Sequence, residues 1–188
     1  MITWTEAAGF VLALVMVGCS IRELHWSWPL AITSSLLYFV VFKDSLLYAE
    51  AGLQLVFAAL ALWGWWQWRR LREDQQPVWV IQRLTRRGWW LAGGALLVLW
   101  PTLAWLLLHF TDSDVAWWDA LPTALSLVGQ ALLGRKYLEN WLVWIVVNVF
   151  SVGLFAYKGL WLTTGLYVLF IGLSVLGWRE WQKRLTAP

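Results

Sequence analysis

The sequence predicts an all-α integral membrane protein: seven transmembrane helices as 3+1+3 parallel repeats, with the N-terminus outside and the C-terminus in the cytoplasm. Three observations predict it. The first is composition: of 188 residues, 61% are hydrophobic and only 13% charged, against roughly 25% charged in a soluble domain. The second is a repeat in the text. Gly64-Trp65-Trp66-Gln67-Trp68 closes one apolar stretch, and Gly177-Trp178-Arg179-Glu180-Trp181 closes another 113 residues later with the same Gly-Trp-x-x-Trp spacing. Upstream, Phe42-Lys43 echoes Tyr157-Lys158, and Trp26 pairs with Trp141, both at an offset of 115. Two copies of one hydrophobic unit point to a transporter of tandem halves with its substrate between them. The third observation is the placement of arginine.

The seven predicted spans are about 4–20, 27–42, 46–66, 88–109, 117–134, 139–156 and 160–178. Spans of about 20 residues need about 140 in all, which this chain supplies as one domain over 1–188: repeat one at about 4–68, a linker loop and inverter helix at about 69–110, and repeat two at about 117–182. The first run follows Glu6 without a basic region before it, and reads as a retained helix, not a signal peptide. Pro29 opens the second span, where its missing N–H is tolerated. Gly93-Gly94 and Pro101 fall inside the fourth; the glycines permit close approach and the proline should bend the helix. The loop 67–87 holds Arg69, Arg70, Arg72, Arg83, Arg86 and Arg87 and reads as a solvated connector.

With the N-terminus outside, those six arginines, Arg22, Arg135, Lys136, Arg179, Lys183 and Arg184 all face the cytoplasm, and only Lys43 and Lys158 face out. That is the positive-inside distribution. The acidic pair Asp112 and Asp114 then lies outside. Spans one to three and five to seven start on the same side, and the fourth inverts between them. Trp4, Trp26, Trp28, Trp65, Trp68, Trp89, Trp90, Trp117, Trp118, Trp178 and Trp181 lie near span ends, as in an aromatic belt.

The strongest candidate site is on the sixth span. Trp141, Trp144 and Asn148 stand at i, i+3 and i+7 on one helical face, which Ser151 continues. Asn148 falls near mid-span, where an amide needs partners. Two indoles and an amide on one stripe suit a small, flat, polar ligand, and indole faces suit a cationic ring. The competing reading is helix packing glued by Asn148. Gln54 and Gln130 are further intramembrane amides. Glu50 shares a face with Gln54 and could instead snorkel to water. Thr123 follows Asp119 by one turn, and Thr33, Ser34 and Ser35 cluster in the second span. Hydroxyls often bond their own helix. Glu50, Gln54, Thr123, Gln130, Trp141, Trp144 and Asn148 form the candidate substrate set.

No phosphate-binding loop, nucleophile with an adjacent base, or metal-ligand spacing is present in the sequence, and the single Cys19 forms no intrachain disulfide. Neither enzymatic activity nor a cofactor is expected.

The stretches Trp118-Asp119-Ala120, Gln130, Lys136, Glu139-Asn140-Trp141-x-x-Trp144-x-x-x-Asn148, Lys158-Gly159-Leu160, Leu166-Tyr167 and Gly177-Trp178-x-x-Trp181 resemble the PnuC family of bacterial vitamin transporters. Trp28-Pro29, Leu47-Tyr48-Ala49, Leu53-Gln54 and Gly64-Trp65-Trp66 match in the first half, so the resemblance spans about 22–182. It implies a fold similar to the sugar-transporting SWEET proteins and facilitated uptake of nicotinamide riboside across the bacterial inner membrane, with trapping inside by phosphorylation. Trp141, Trp144 and Asn148 then fall on the helix that lines the vitamin site. Thiamine, also a cationic aromatic, is the alternative substrate, and larger, neutral riboflavin suits the indoles less. A non-transporting membrane subunit is the reading from a different class. The partners expected are the vitamin and the lipid bilayer, with no nucleic acid; a homo-oligomer is left open.

Overall fold

The computed structural model describes residues 4–44, 48–73, 81–110, 116–157, 159 and 161–186, with the backbone alone at 4–10, 41–42, 44, 48–50, 70–73, 162 and 186. Asp112, Asp114 and Lys158 lie outside the described residues, as does the side chain of Glu50. Among the described residues seven helices follow in order: α1 (Trp4–Ile21), α2 (Ser27–Asp44), α3 (Tyr48–Glu73), α4 (Arg86–Phe110), α5 (Ala116–Gly134), α6 (Asn140–Tyr157) and α7 (Trp161–Thr186). Each falls on a predicted span. α3 and α7 run on beyond the apolar text, because Arg, Glu, Gln and Lys are good helix formers and need not stop where the hydrophobic run does. α4 continues through Pro101 as one helix. By length and composition, α4 and α6 are each long and apolar enough to cross a membrane.

Helix packing defines a ring. α1 packs on α2, α2 on α3, α3 on α5, α5 on α6, α6 on α7, and α7 back on α1. α4 stands outside it against α5 and, lightly, α3. Of the α4 side chains only Ala104 is buried, and Trp90, Leu91, Leu97 and Val98 are exposed, an apolar surface suited to lipid.

The same local structures occur twice at one offset. Trp28 meets Trp68 edge to face at 5.4 Å, and Trp141 meets Trp181 edge to face at 5.5 Å. Each such pair contributes about 0.5–1.5 kcal/mol beyond its buried area. In both, the inner indole lies on a glycine, Gly64 under Trp28 and Gly177 under Trp141. The turn that follows α1 also matches the one that follows α5. Leu24 N–H donates to the Cys19 carbonyl and Glu23 N–H to that of Ser20; in the second copy Tyr137 N–H donates to Leu132 and Lys136 N–H to Leu133. These are Schellman caps, whose left-handed residue is ordinarily glycine. Here it is Glu23 (φ 56°) and Lys136 (φ 54°).

Three expectations are corrected. The partner of Trp141 is Trp28, not Trp26: Trp26 is 61% exposed, whereas Trp28 is buried and occupies the matching contact. Nor do Trp28, Trp68 and Trp181 belong to an aromatic belt; all three sit in the core, since helices that meet at glycines leave indole-sized gaps between them. The connector is not wholly solvated either. Ile81 is buried, Gln82 pairs with the 136–138 backbone, and Leu84 N–H donates to the Glu139 carboxylate at 2.9 Å, so 81–85 docks on the α5–α6 turn.

Candidate functional site

A cavity of about 280 Å³ lies inside the ring, and all six ring helices line it. It approaches the lower end of ligand-pocket volumes, about 300–1,000 Å³. Its polar and aromatic wall includes Trp141, Trp144 and Asn148 on α6, Gln130 on α5, Tyr167 and Ser174 on α7, Trp28, Ser34 and Ser35 on α2, and Phe57 on α3. None of the described lining residues carries a formal charge.

The α6 stripe is built as its spacing requires. Trp141 is buried, against Gly177 and in edge-to-face contact with Trp181. Trp144, one turn on, is partly exposed and packs on Gly129. Asn148 is buried, and its Nδ2 donates to Ser174 Oγ at 3.3 Å. Ser174 Oγ in turn donates to the Phe170 carbonyl at 2.8 Å. The serine thus orients the amide. An amide side chain has two N–H donors and an accepting oxygen, so Asn148 keeps one donor and its oxygen without a partner among the described residues. Gln130 lines the same cavity and has no hydrogen-bond partner among them.

Trp28 and Trp141 both line the cavity, and neither buried indole N–H meets an acceptor among the described residues. An orphaned buried donor costs about 1–3 kcal/mol, which a ligand oxygen would recover. Trp65 and Trp68 share that condition without lining the cavity, so an orphaned indole alone does not mark the site.

Of the predicted set, Gln130, Trp141, Trp144 and Asn148 come together. Gln54 does not line the cavity; among the described α3 side chains Phe57, three positions on, is the one that does. Thr123 is also away from it, and its hydroxyl donates to the Asp119 carbonyl of its own helix at 3.1 Å. Glu50 belongs to α3, its side chain outside the described residues. The sequence reading missed Trp28, Ser35, Phe57, Tyr167 and Ser174 as lining residues. The 113-residue offset held the signal for two of them: it maps Trp28 onto Trp141 and Ser35 onto Asn148.

A second hollow, about 640 Å³, lies between α3, α4 and α5. Its wall is almost wholly aliphatic, with Trp63, Arg135 and Tyr137 as the exceptions, and it offers no amide or hydroxyl except the Tyr137 phenol. Volume alone favours this hollow; the chemistry favours the smaller, inner cavity.

A family profile described as "Nicotinamide mononucleotide transporter" matches residues 3–183. The chain is 26% identical to the nicotinamide riboside transporter PnuC of Escherichia coli, covering 96% of this chain and 85% of that protein. It is 30% identical to the riboflavin/roseoflavin transporter RibM of Streptomyces davaonensis, covering 97% and 86%. It is also similar to the crystal structure of the vitamin B3 transporter PnuC, with a TM-score of 0.72, 27% identity and coverage of 94% and 79%.

Proposed function

The chain belongs to the nicotinamide mononucleotide transporter family, and from that premise we propose that it is a uniporter carrying nicotinamide riboside into the bacterial cytoplasm across the inner membrane. The observation that carries this reading is the inner cavity, where Trp144 and Trp141 offer indole surface and Asn148 and Gln130 offer free amide groups, with no charged side chain among the described lining residues. A pyridinium ring gains from stacking and cation–π attraction, about 0.5–2 kcal/mol for the latter. The ribose hydroxyls match the amides and the orphaned indole N–H groups.

The uncharged wall bears on direction. A phosphate ester would bring about two negative charges into a space with no lysine or arginine among its described lining residues to meet them, at high desolvation cost. The riboside enters, and the phosphorylated product does not return. Trapping by a cytosolic kinase then drives net uptake through a facilitator. In this reading the ring is two parallel three-helix repeats, α1–α3 and α5–α7, that rock about the cavity with α4 as the inverter and with the C-terminus in the cytoplasm.

A second reading is riboflavin, favoured by the 30% identity to RibM. Its fused three-ring system is a tight demand on about 280 Å³. Thiamine shares the cationic-ring argument and is a third substrate to test. The assay uses proteoliposomes of the purified protein loaded with a nicotinamide riboside kinase and ATP. Labelled nicotinamide riboside should accumulate, and thiamine and riboflavin should compete poorly. No accumulation above protein-free vesicles would sink the transport reading, and preferred uptake of riboflavin would move the chain to the second reading.

A further inference from the structure

Glu23 and Lys136 hold positions where glycine is the default, at φ 56° and 54°, in two Schellman caps 113 residues apart. Charged residues in that conformation need a reason, and their side chains supply one: Lys136 Nζ meets Glu23 Oε2 at 2.6 Å, with both side chains largely buried. The pair ties the end of α1 to the end of α5, one from each half of the ring. Arg184 Nη1 reaches Glu23 Oε1 at 2.7 Å from α7, and Lys136 Nζ lies 4.8 Å from the centre of the Trp68 ring on α3. Ser20 and Ser27, on either side of the Glu23 turn, both line the inner cavity, as does Leu133 beside the Lys136 turn.

We propose that Glu23 and Lys136 are positioning residues that latch one end of the cavity shut, and that their ion pair breaks and reforms once in each transport cycle. The pair joins the two turns that must part for a ligand to leave between α1 and α5. A nearly buried ion pair at this distance holds firmly while closed. Once the turns separate, water replaces each partner at modest cost, so the contact suits a reversible closure. Arg184 and the Trp68 face keep both charges accompanied, and Arg184 makes Glu23 the shared centre of the closure. This rests on the transport reading for its purpose but not for its geometry.

The test is access to the cavity. Ser27→Cys in a Cys19→Ser background places a thiol at the cavity wall behind the latch. A membrane-impermeant maleimide is applied separately to inside-out vesicles and to spheroplasts, with Glu23→Gln or Lys136→Met added. Labelling should quicken about tenfold, within the usual range of a conformational coupling, and from one membrane face only. The double variant should label no faster than the faster single one, because either change opens the same contact. In an Arg184→Gln background, Glu23→Lys combined with Lys136→Glu should restore slow labelling that neither reversal restores alone. Unchanged rates on both faces in both single variants overturn the latch. Equal acceleration from both faces means general loosening and overturns it too. No transported vitamin enters this measurement, so failure of the uptake assay and failure of the latch are separate results.

Discussion

Gly177 lies directly against the Trp141 indole: a Cβ placed on it would come within 2.6–2.7 Å of three ring carbons. Gly64 stands in the same relation to Trp28, at 2.3–2.8 Å. Neither ring can yield easily, since Trp181 and Trp68 also pack against them in edge contacts. In a membrane the hydrophobic effect does not drive helices together, so this close packing carries much of the association. Gly177→Ala should lower stability by about 1–3 kcal/mol, the usual cost of overpacking, and displace Trp141 from the cavity wall. Gly64→Ala should cost the same through Trp28. Thermal unfolding in detergent measures the first effect, and nicotinamide riboside binding measures the second. Stability equal to wild type in both variants would mean the rings have room that the geometry denies them.

Asn148 is the amide on which the proposed site turns, and Ser174 aims it. Asn148→Leu keeps the branched heavy-atom shape and removes every side-chain hydrogen bond, so uptake should disappear while the protein still folds. Ser174→Ala removes only the acceptor that orients the amide. A lost hydrogen bond of about 1 kcal/mol should then raise the apparent KM about fivefold with a smaller effect on maximal rate. An Asn148→Leu protein with undiminished uptake would reduce the residue to helix glue.

The fold was legible because helical periodicity and charge bias are local signals. Seven apolar runs, set off by turns and by arginine, became seven helices, and the i, i+3, i+7 stripe of α6 put Trp141, Trp144 and Asn148 on one wall. What was not legible depends on rotation about each helix axis. Trp28 and Trp68 read like belt residues because a span end in sequence does not say which way a ring turns; only the glycine beneath it decides. Gln54 and Gln130 look alike as intramembrane amides, yet only Gln130 reaches the cavity. Glu23 gave no signal at all, since a left-handed cap occupied by a carboxylate is a backbone property that composition does not carry.

Trp144 tests the aromatic part of the site. It is the less buried of the two α6 indoles in the cavity wall, and Ala31 takes the matching position in the first half, so Trp144 has no ring as its counterpart there. Stacking is worth about 1–3 kcal/mol per ring, so Trp144→Ala should weaken binding about 10- to 100-fold and Trp144→Phe by less. The charge adds a separable component. Dihydronicotinamide riboside has nearly the same shape without the pyridinium cation. Wild type should prefer the charged form severalfold, and Trp144→Ala should erase that preference. Competition against labelled substrate reads both, and an intact preference in Trp144→Ala would place the cation elsewhere.

The uncharged wall predicts discrimination against the phosphorylated compound. Nicotinamide mononucleotide should compete at least about 100-fold more weakly than the riboside, because its phosphate finds no cation among the described lining residues. Equal competition by the two compounds would undo the trapping argument, since the product could then leave by the same route.

Cavity residues should part from their look-alikes in affinity. Gln130 lines the cavity without a protein partner among the described residues, so Gln130→Leu should remove a ligand hydrogen bond and lower affinity about 5- to 10-fold. Thr123 donates to its own helix and Gln54 lies off the cavity wall. Thr123→Val and Gln54→Leu should therefore leave affinity within about twofold, whatever their effect on stability. Binding titrations on purified protein decide it. If Gln54→Leu weakened binding as much as Gln130→Leu, substrate would have to reach α3 one turn away from Phe57, and the cavity would need to extend along that helix during transport.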